Sequence, residues 1–141
     1  MVQGGEQRGS EQKSARTGSG MLEVRSADEG GTRLVTLSGE LDLSNVEEVE
    51  RAFDAALADD CPRIVIDLRE LLFIDSTGIA LLVSMLRRCG GGERLSIVPS
   101  RSGGVRRVMA ITGLEGRIPI AEGYPEDPAP RDDGDGRILS S

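Results

Sequence analysis

Apolar residues along this chain fall into short runs whose spacing switches between two and three-to-four, and that switching sets out the elements in order. Leu22 and Val24, then Leu34, Val35 and Leu37, make two strand-like runs around the turn-forming cluster Asp28-Glu29-Gly30-Gly31, which predicts an antiparallel hairpin. Gly39-Glu40-Leu41-Asp42-Leu43 then leads into Ser44-Asn45-Val46-Glu47, a match to the capping box in which Ser44 and Glu47 serve each other's backbone donors. The helix opened there carries Val46, Val49, Phe53, Ala56 and Leu57 on one stripe, so it covers a sheet with a single face. It ends before Cys61-Pro62, because a residue preceding proline is pushed out of the α region. Ile64-Val65-Ile66 is a β-branched run without polar alternation, as in a strand covered on both faces; it is read as ending at Asp67, with a connecting loop before Asp75.

Asp75-Ser76-Thr77-Gly78 opens a second helix whose apolar stripe is Ile79, Leu82, Val83 and Leu86, with Leu81 and Met85 on a second flank that a neighbouring element is expected to cover, the other reading being an exposed apolar patch. Gly90-Gly91-Gly92 stops it, and Arg87 and Arg88 sit favourably in its last turn. Leu95, Ile97 and Val98 form another strand, ended by Pro99. Ser100 or Ser102 caps a third helix with Val105, Val108 and Met109 inward, closed by Thr112-Gly113-Leu114. Ile118-Pro119-Ile120 reads as a final edge strand, where proline is tolerated. The order predicts an α/β domain: a mixed four- to five-stranded sheet, its N-terminal hairpin antiparallel and its later strands parallel, packed with three to four helices. Residues 21–121 carry this pattern. Residues 1–20 and 122–141 are rich in Gly, Ser, Pro and charge and are expected to be disordered tails.

Composition narrows the chemistry. Phe53, Phe73 and Tyr124 are the only aromatic residues, so the core is aliphatic and stacking platforms for single-stranded nucleic acid are not expected. Seventeen basic against 24 acidic residues leave a net charge of −7, which argues against a binder of phosphate backbones and favours protein partners. No run of about 18 apolar residues suggests a membrane span, and Cys61 and Cys89 lack metal or redox spacing, so a cytoplasmic protein is expected. With no histidine, Ser-His-Asp and Cys-His catalysis fall away; Lys13 as the single lysine removes Walker A and Schiff-base chemistry. The chain is not expected to be an enzyme, nor to hold a cofactor or metal. Asp42, Asp67 and Asp75 are conceivable Mg²⁺ ligands, but aspartates are ordinary capping and turn residues. The sharpest feature left is Ser76, a hydroxyl at a helix start where free backbone N–H groups point.

GELDLSN, VIDLRELLFIDSTG and VRRVMAITGLEG, in that order and spacing from about Leu22 to Ile120, together resemble the STAS domain, specifically the single-domain anti-sigma factor antagonists. That resemblance implies that Ser76 is phosphorylated by a partner anti-sigma factor that is also a serine kinase, and that the loop carrying Asp42 lies beside it. A serine phosphatase would be a further partner; nucleic acid and membrane would not. The surface expected to meet the partner comprises Asp42, Ser44, Asp75, Ser76, Thr77, Gly78, Ala80, Leu81 and Ser84. Thr77 stands where many members have a second serine, and Ile79-Ala80 where many have Leu-Gly. The alternative expectation is a docking subunit of a transporter or signalling complex, without phosphorylation, using Leu81 and Met85 as its patch.

Overall fold

The computed structural model describes residues 13–16 and 21–124. Five strands form one sheet in the order β1 (Lys13–Arg16), β2 (Leu22–Glu29), β3 (Thr32–Leu41), β4 (Arg63–Ile74) and β5 (Leu95–Val98). The pairs β1–β2 and β2–β3 are antiparallel, whereas β3–β4 and β4–β5 are parallel. Three helices, α1 (Val46–Ala58), α2 (Ser76–Arg88) and α3 (Gly103–Ile111), complete the α/β architecture. The β2–β3 hairpin turns at Gly30-Gly31, both at positive φ, as a two-residue turn of matching twist requires.

Buried residues of all three helices, among them Phe53, Leu82, Met85 and Met109, join one cluster with Leu22, Val24, Val35, Leu37, Ile64, Ile66 and Leu68. Those strand residues alternate along β2, β3 and β4, so the helices share one face of the sheet. On the opposite face Val65, Val98 and Ala121 make a small second cluster, with Leu34 and Tyr124 partly buried against it. Val65 is thus covered on the far side, as the unalternating Ile64-Val65-Ile66 run requires.

Several expectations are corrected. Lys13–Arg16, assigned to an N-terminal tail, is a strand: it satisfies the outer edge of β2, and being polar it carries no apolar signal. The rest of residues 1–20, and residues 125–141 of the C-terminal stretch, lie outside the described residues. Tyr124, also assigned to a tail, packs on the second cluster. The strand expected to end at Asp67 continues to Ile74, so no loop separates Asp67 from Asp75. It is hidden in sequence by two irregularities: register jumps from Thr36↔Asp67 to Ser38↔Glu70, and from Gly39↔Leu71 to Glu40↔Phe73. Each inserts one extra residue in β4 and breaks the alternation.

On α2 the second flank is covered by neighbouring elements, as its apolar residues favour, while part of the expected inward stripe is not fully buried. Leu81 and Met85 are buried with Gly78, Leu82 and Leu86, while Ile79 and Val83 are only partly buried. A docking patch made of Leu81 and Met85 is therefore not available at the surface. Ile118-Pro119-Ile120 forms a single parallel bridge, Ile97↔Ile120, and no full strand, because Pro119 has no N–H to give the ladder. Its carbonyl accepts instead from Ile97 N at 2.9 Å.

Candidate phosphoacceptor site

Four chain segments meet where β3 and β4 end and α2 begins. Gly78 sets how closely they approach. A Cβ added there would lie 2.7 Å from Ile74 Cγ1 and 2.9 Å from Leu41 Cγ, so only glycine lets the first turn of α2 sit against these two strand ends.

Asp75 is the N-cap of α2. One carboxylate oxygen accepts from Gly78 N at 3.0 Å, satisfying one of the free donors of the first turn. The other accepts from Leu43 N at 3.2 Å, and the Asp75 N–H donates to Leu41 O at 3.2 Å. A single residue therefore ties the β3–α1 loop to the helix start.

That loop is held from inside by Asn45. Its side chain is 1% exposed; its oxygen accepts from Asp42 N at 2.9 Å and its amide donates to Glu40 O at 2.9 Å. The expected capping box is thereby corrected. The residue flanking α1 is Asn45, and Ser44 turns back, its hydroxyl donating to Asp42 Oδ1 at 2.6 Å. Asn45 serves both partners at once through separate groups, its oxygen accepting and its amide donating. The signal was present in the sequence, since asparagine is as good a helix-flanking residue as serine.

With Asp75 as cap, Ser76 is left as the first residue of α2, exposed, and its hydroxyl makes no hydrogen bond among the described residues. Thr77 and Ser84 are half-buried and Ala80 is exposed. Residues 77, 80 and 84 share one helix face, so this edge of α2 is small and neutral. The first turn itself holds no acidic residue and Arg87 and Arg88 occupy the last, so the Asp75 carboxylate at the N-cap is the negative charge at the dipole's positive end beside Ser76.

Of the residues expected at a partner surface, the structure brings Asp42, Ser44, Asp75, Ser76, Thr77, Ala80 and Ser84 to this corner or along the adjoining edge of α2. Gly78 and Leu81 are corrected. Both are buried, Leu81 at 8% exposure, and serve packing. Asp67 belongs elsewhere: it is buried mid-strand and its carboxylate takes three hydrogen bonds from Arg69, at 2.9–3.0 Å. Those bonds hold the Arg69 guanidinium above its ordinary pKa. Among the described residues no three acidic or cysteine side chains converge as a metal site.

The apolar run Leu71-Leu72-Phe73-Ile74 had another part to play. Because Leu72 is the extra residue of a bulge, Leu72 and Phe73 both face outward, as does Leu43 in the neighbouring loop. Four consecutive apolar residues where strict alternation is expected were the available signal.

The anti-sigma-F factor antagonist RsfB of Mycobacterium tuberculosis is 29% identical over 94 residues, 67% of this chain and 76% of that protein. A crystal structure of an anti-sigma factor antagonist from Mycobacterium paratuberculosis is 30% identical, with a TM-score of 0.65, covering 72% of this chain and 86% of that one. The anti-sigma factor antagonist SpoIIAA in its unphosphorylated form shares the fold at 24% identity, with a TM-score of 0.59, covering 71% of this chain and 89% of that one. The family model described as "Mlab, STAS domain" matches residues 24–121. This match, over more than half of its length, places the chain in the STAS domain family.

Proposed function

We propose that this protein is an anti-sigma factor antagonist whose unphosphorylated form binds an anti-sigma factor with serine kinase activity and so frees the sigma factor. Phosphorylation of Ser76 switches that binding off. The observation that carries the reading is the division of labour at the head of α2: Asp75 does the capping, which leaves the Ser76 hydroxyl exposed and unengaged. A serine needed as a cap would be bonded to its own helix.

In the switch, Ser76 Oγ attacks the γ-phosphorus of ATP bound to the partner; its proton passes to the partner's base, ADP leaves, and a phosphoester remains. The domain supplies the nucleophile and no catalysis, since no histidine or nearby lysine could activate the hydroxyl. The modification adds about −1.5 to −2 charges beside Asp75. Open N–H groups of α2 offset part of that locally, but a partner already closed over the corner must desolvate the rest. Each 1.4 kcal/mol so lost is a tenfold change in affinity. Burial of Leu81 and Met85 removes the surface on which the transporter-docking alternative rested.

The test is incubation of the full chain with a purified anti-sigma kinase from the same genome and Mg-ATP, followed by intact-mass and peptide mapping. One phosphate on Ser76 is expected. Ser76→Ala should keep the partner and Ser76→Asp should lose it; phosphate on Thr77, or equal binding by both variants, would overturn the reading.

A further inference from the structure

β3, β4 and β5 run parallel, and parallel strands are ordinarily covered on both faces. Here the three helices share one face. Among the described residues the other face is closed at one end alone, where Ala121 and Tyr124 pack with Leu34, Val65 and Val98. The register shows what lies further along it. Thr36, Ser38 and Glu40 of β3 stand beside Asp67, Glu70 and Phe73 of β4, and each is next to a residue of the helix-side core, so alternation turns all six away from the helices. Glu40 N donates to Met21 O at 2.8 Å, which sets Met21 on the other flank of Glu40. The far end of the face thus carries Phe73 and Met21, each about half exposed, with Glu40 between them. Apolar side chains gathered at the uncovered end of a face whose other end is already roofed mark an interaction surface.

We infer that residues 125–141 continue across this face and that Ile138 and Leu139 close its far end against Phe73 and Met21. Three observations name this segment as the occupant. The chain already runs on the face where the described residues stop, since Tyr124 is seated on the second cluster. Its reach suffices: Leu34 to Glu40 spans about 20 Å at the usual strand rise, while Tyr124 to Ile138 spans about 43 Å as a proline-rich extended strap. Its composition fits as well. Ile138 and Leu139 are the only large aliphatic residues beyond Tyr124, and Pro125, Pro128 and Pro130 lack the N–H groups that pairing with a sheet edge uses, so the segment lies over the sheet and not beside it. A second copy or another protein competes only from solution, whereas the tether at Tyr124 holds the segment at an effective concentration on the order of millimolar. The helices, and Ser76 with them, are on the other side of the sheet, so docking neither covers Ser76 nor rests on its role. The strap shields the apolar end of the sheet from self-association.

The experiment is NMR on the full chain, with sedimentation to report its oligomeric state. Phe53 is fully buried, so a nuclear Overhauser contact from the Ile138 or Leu139 methyls to a phenylalanine ring identifies Phe73. That contact is expected within a monomer. Ile138→Asp/Leu139→Asp should abolish it and shift the amides of Ser38, Glu40 and Phe73 while leaving those of α2 in place. Phe73→Thr, altering the face and not the segment, should remove the same contact. Thermal melts confirm folding, and the double variant, which lies outside the core, decides the matter if Phe73→Thr fails to fold. Absence of the contact, with the face amides unmoved by the double variant, overturns the inference. Amide shifts confined to the helices place Ile138 and Leu139 on the other side of the sheet and overturn it too. A contact found only between labelled and unlabelled chains in a mixed sample, with a dimer in sedimentation, assigns the face to a second copy and likewise overturns it.

Discussion

Ser76 and Asn45 divide the residue-scale work in a way that spacing alone does not reveal. Both Asp75 and Ser76 are residue types that cap helices, and only the hydrogen bond from Gly78 N to Asp75 decides which one does. Likewise Ser44 and Glu47 fit the capping-box pattern, yet the buried Asn45 takes the structural role. Asn45→Ala should cost about 2 kcal/mol, because it strands the Asp42 N–H and the Glu40 carbonyl in partly buried positions. Ser44→Ala, at an exposed site, should stay within about 0.5 kcal/mol. Urea denaturation with an unchanged m-value would check both; equal midpoints would show that the loop does not depend on Asn45.

At the scale of elements, type and order were readable from periodicity, and the misreadings share one physical cause. A β-bulge shifts every later side chain by one position, so the two in β4 disguised a twelve-residue strand as a short strand plus a loop. The first and third helices showed their inward faces in sequence. The second did not, because it is apolar on more than one flank and its approach to the sheet is set by Gly78, which no hydrophobicity pattern registers. Glycine substitutions separate the two kinds of position. Gly78→Ala should destabilise by about 1–3 kcal/mol through overlap with Ile74 and Leu41. Gly104→Ala, where an added Cβ meets only Ser102 Oγ at 3.7 Å, should stabilise by about 0.5 kcal/mol through the unfolded chain. Thermal melts of the two variants, moving in opposite directions, would check the contrast.

On the scale of the whole molecule, the mixed sheet was legible because an antiparallel hairpin followed by strands alternating with helices makes the later strands parallel, whereas the gathering of all three helices on one face carries no sequence signal. Nor were the margins legible: β1 is polar and Tyr124 is a lone aromatic, so neither announces its packing. Global stability should carry a signature of Cys89, whose thiol burial holds above its ordinary pKa, although Arg94 and Arg88 pull it down. The unfolded thiol ionises near pH 8.5 and the folded one only at higher pH. This contribution to stability is therefore present in full below about pH 8 and is lost as pH rises above the unfolded thiol's pKa of about 8.5. Cys89→Ala should flatten this alkaline decline in urea midpoints; an unchanged slope would place its origin elsewhere. The tie Asp75 makes between the β3–α1 loop and α2 holds the two together beside Ser76. On the reading proposed for Ser76, the protein then behaves as a token: its state is kept in a covalent ester and lasts until that bond is hydrolysed, so the duration of the signal is set by an enzyme's turnover and owes nothing to how fast this fold can relax.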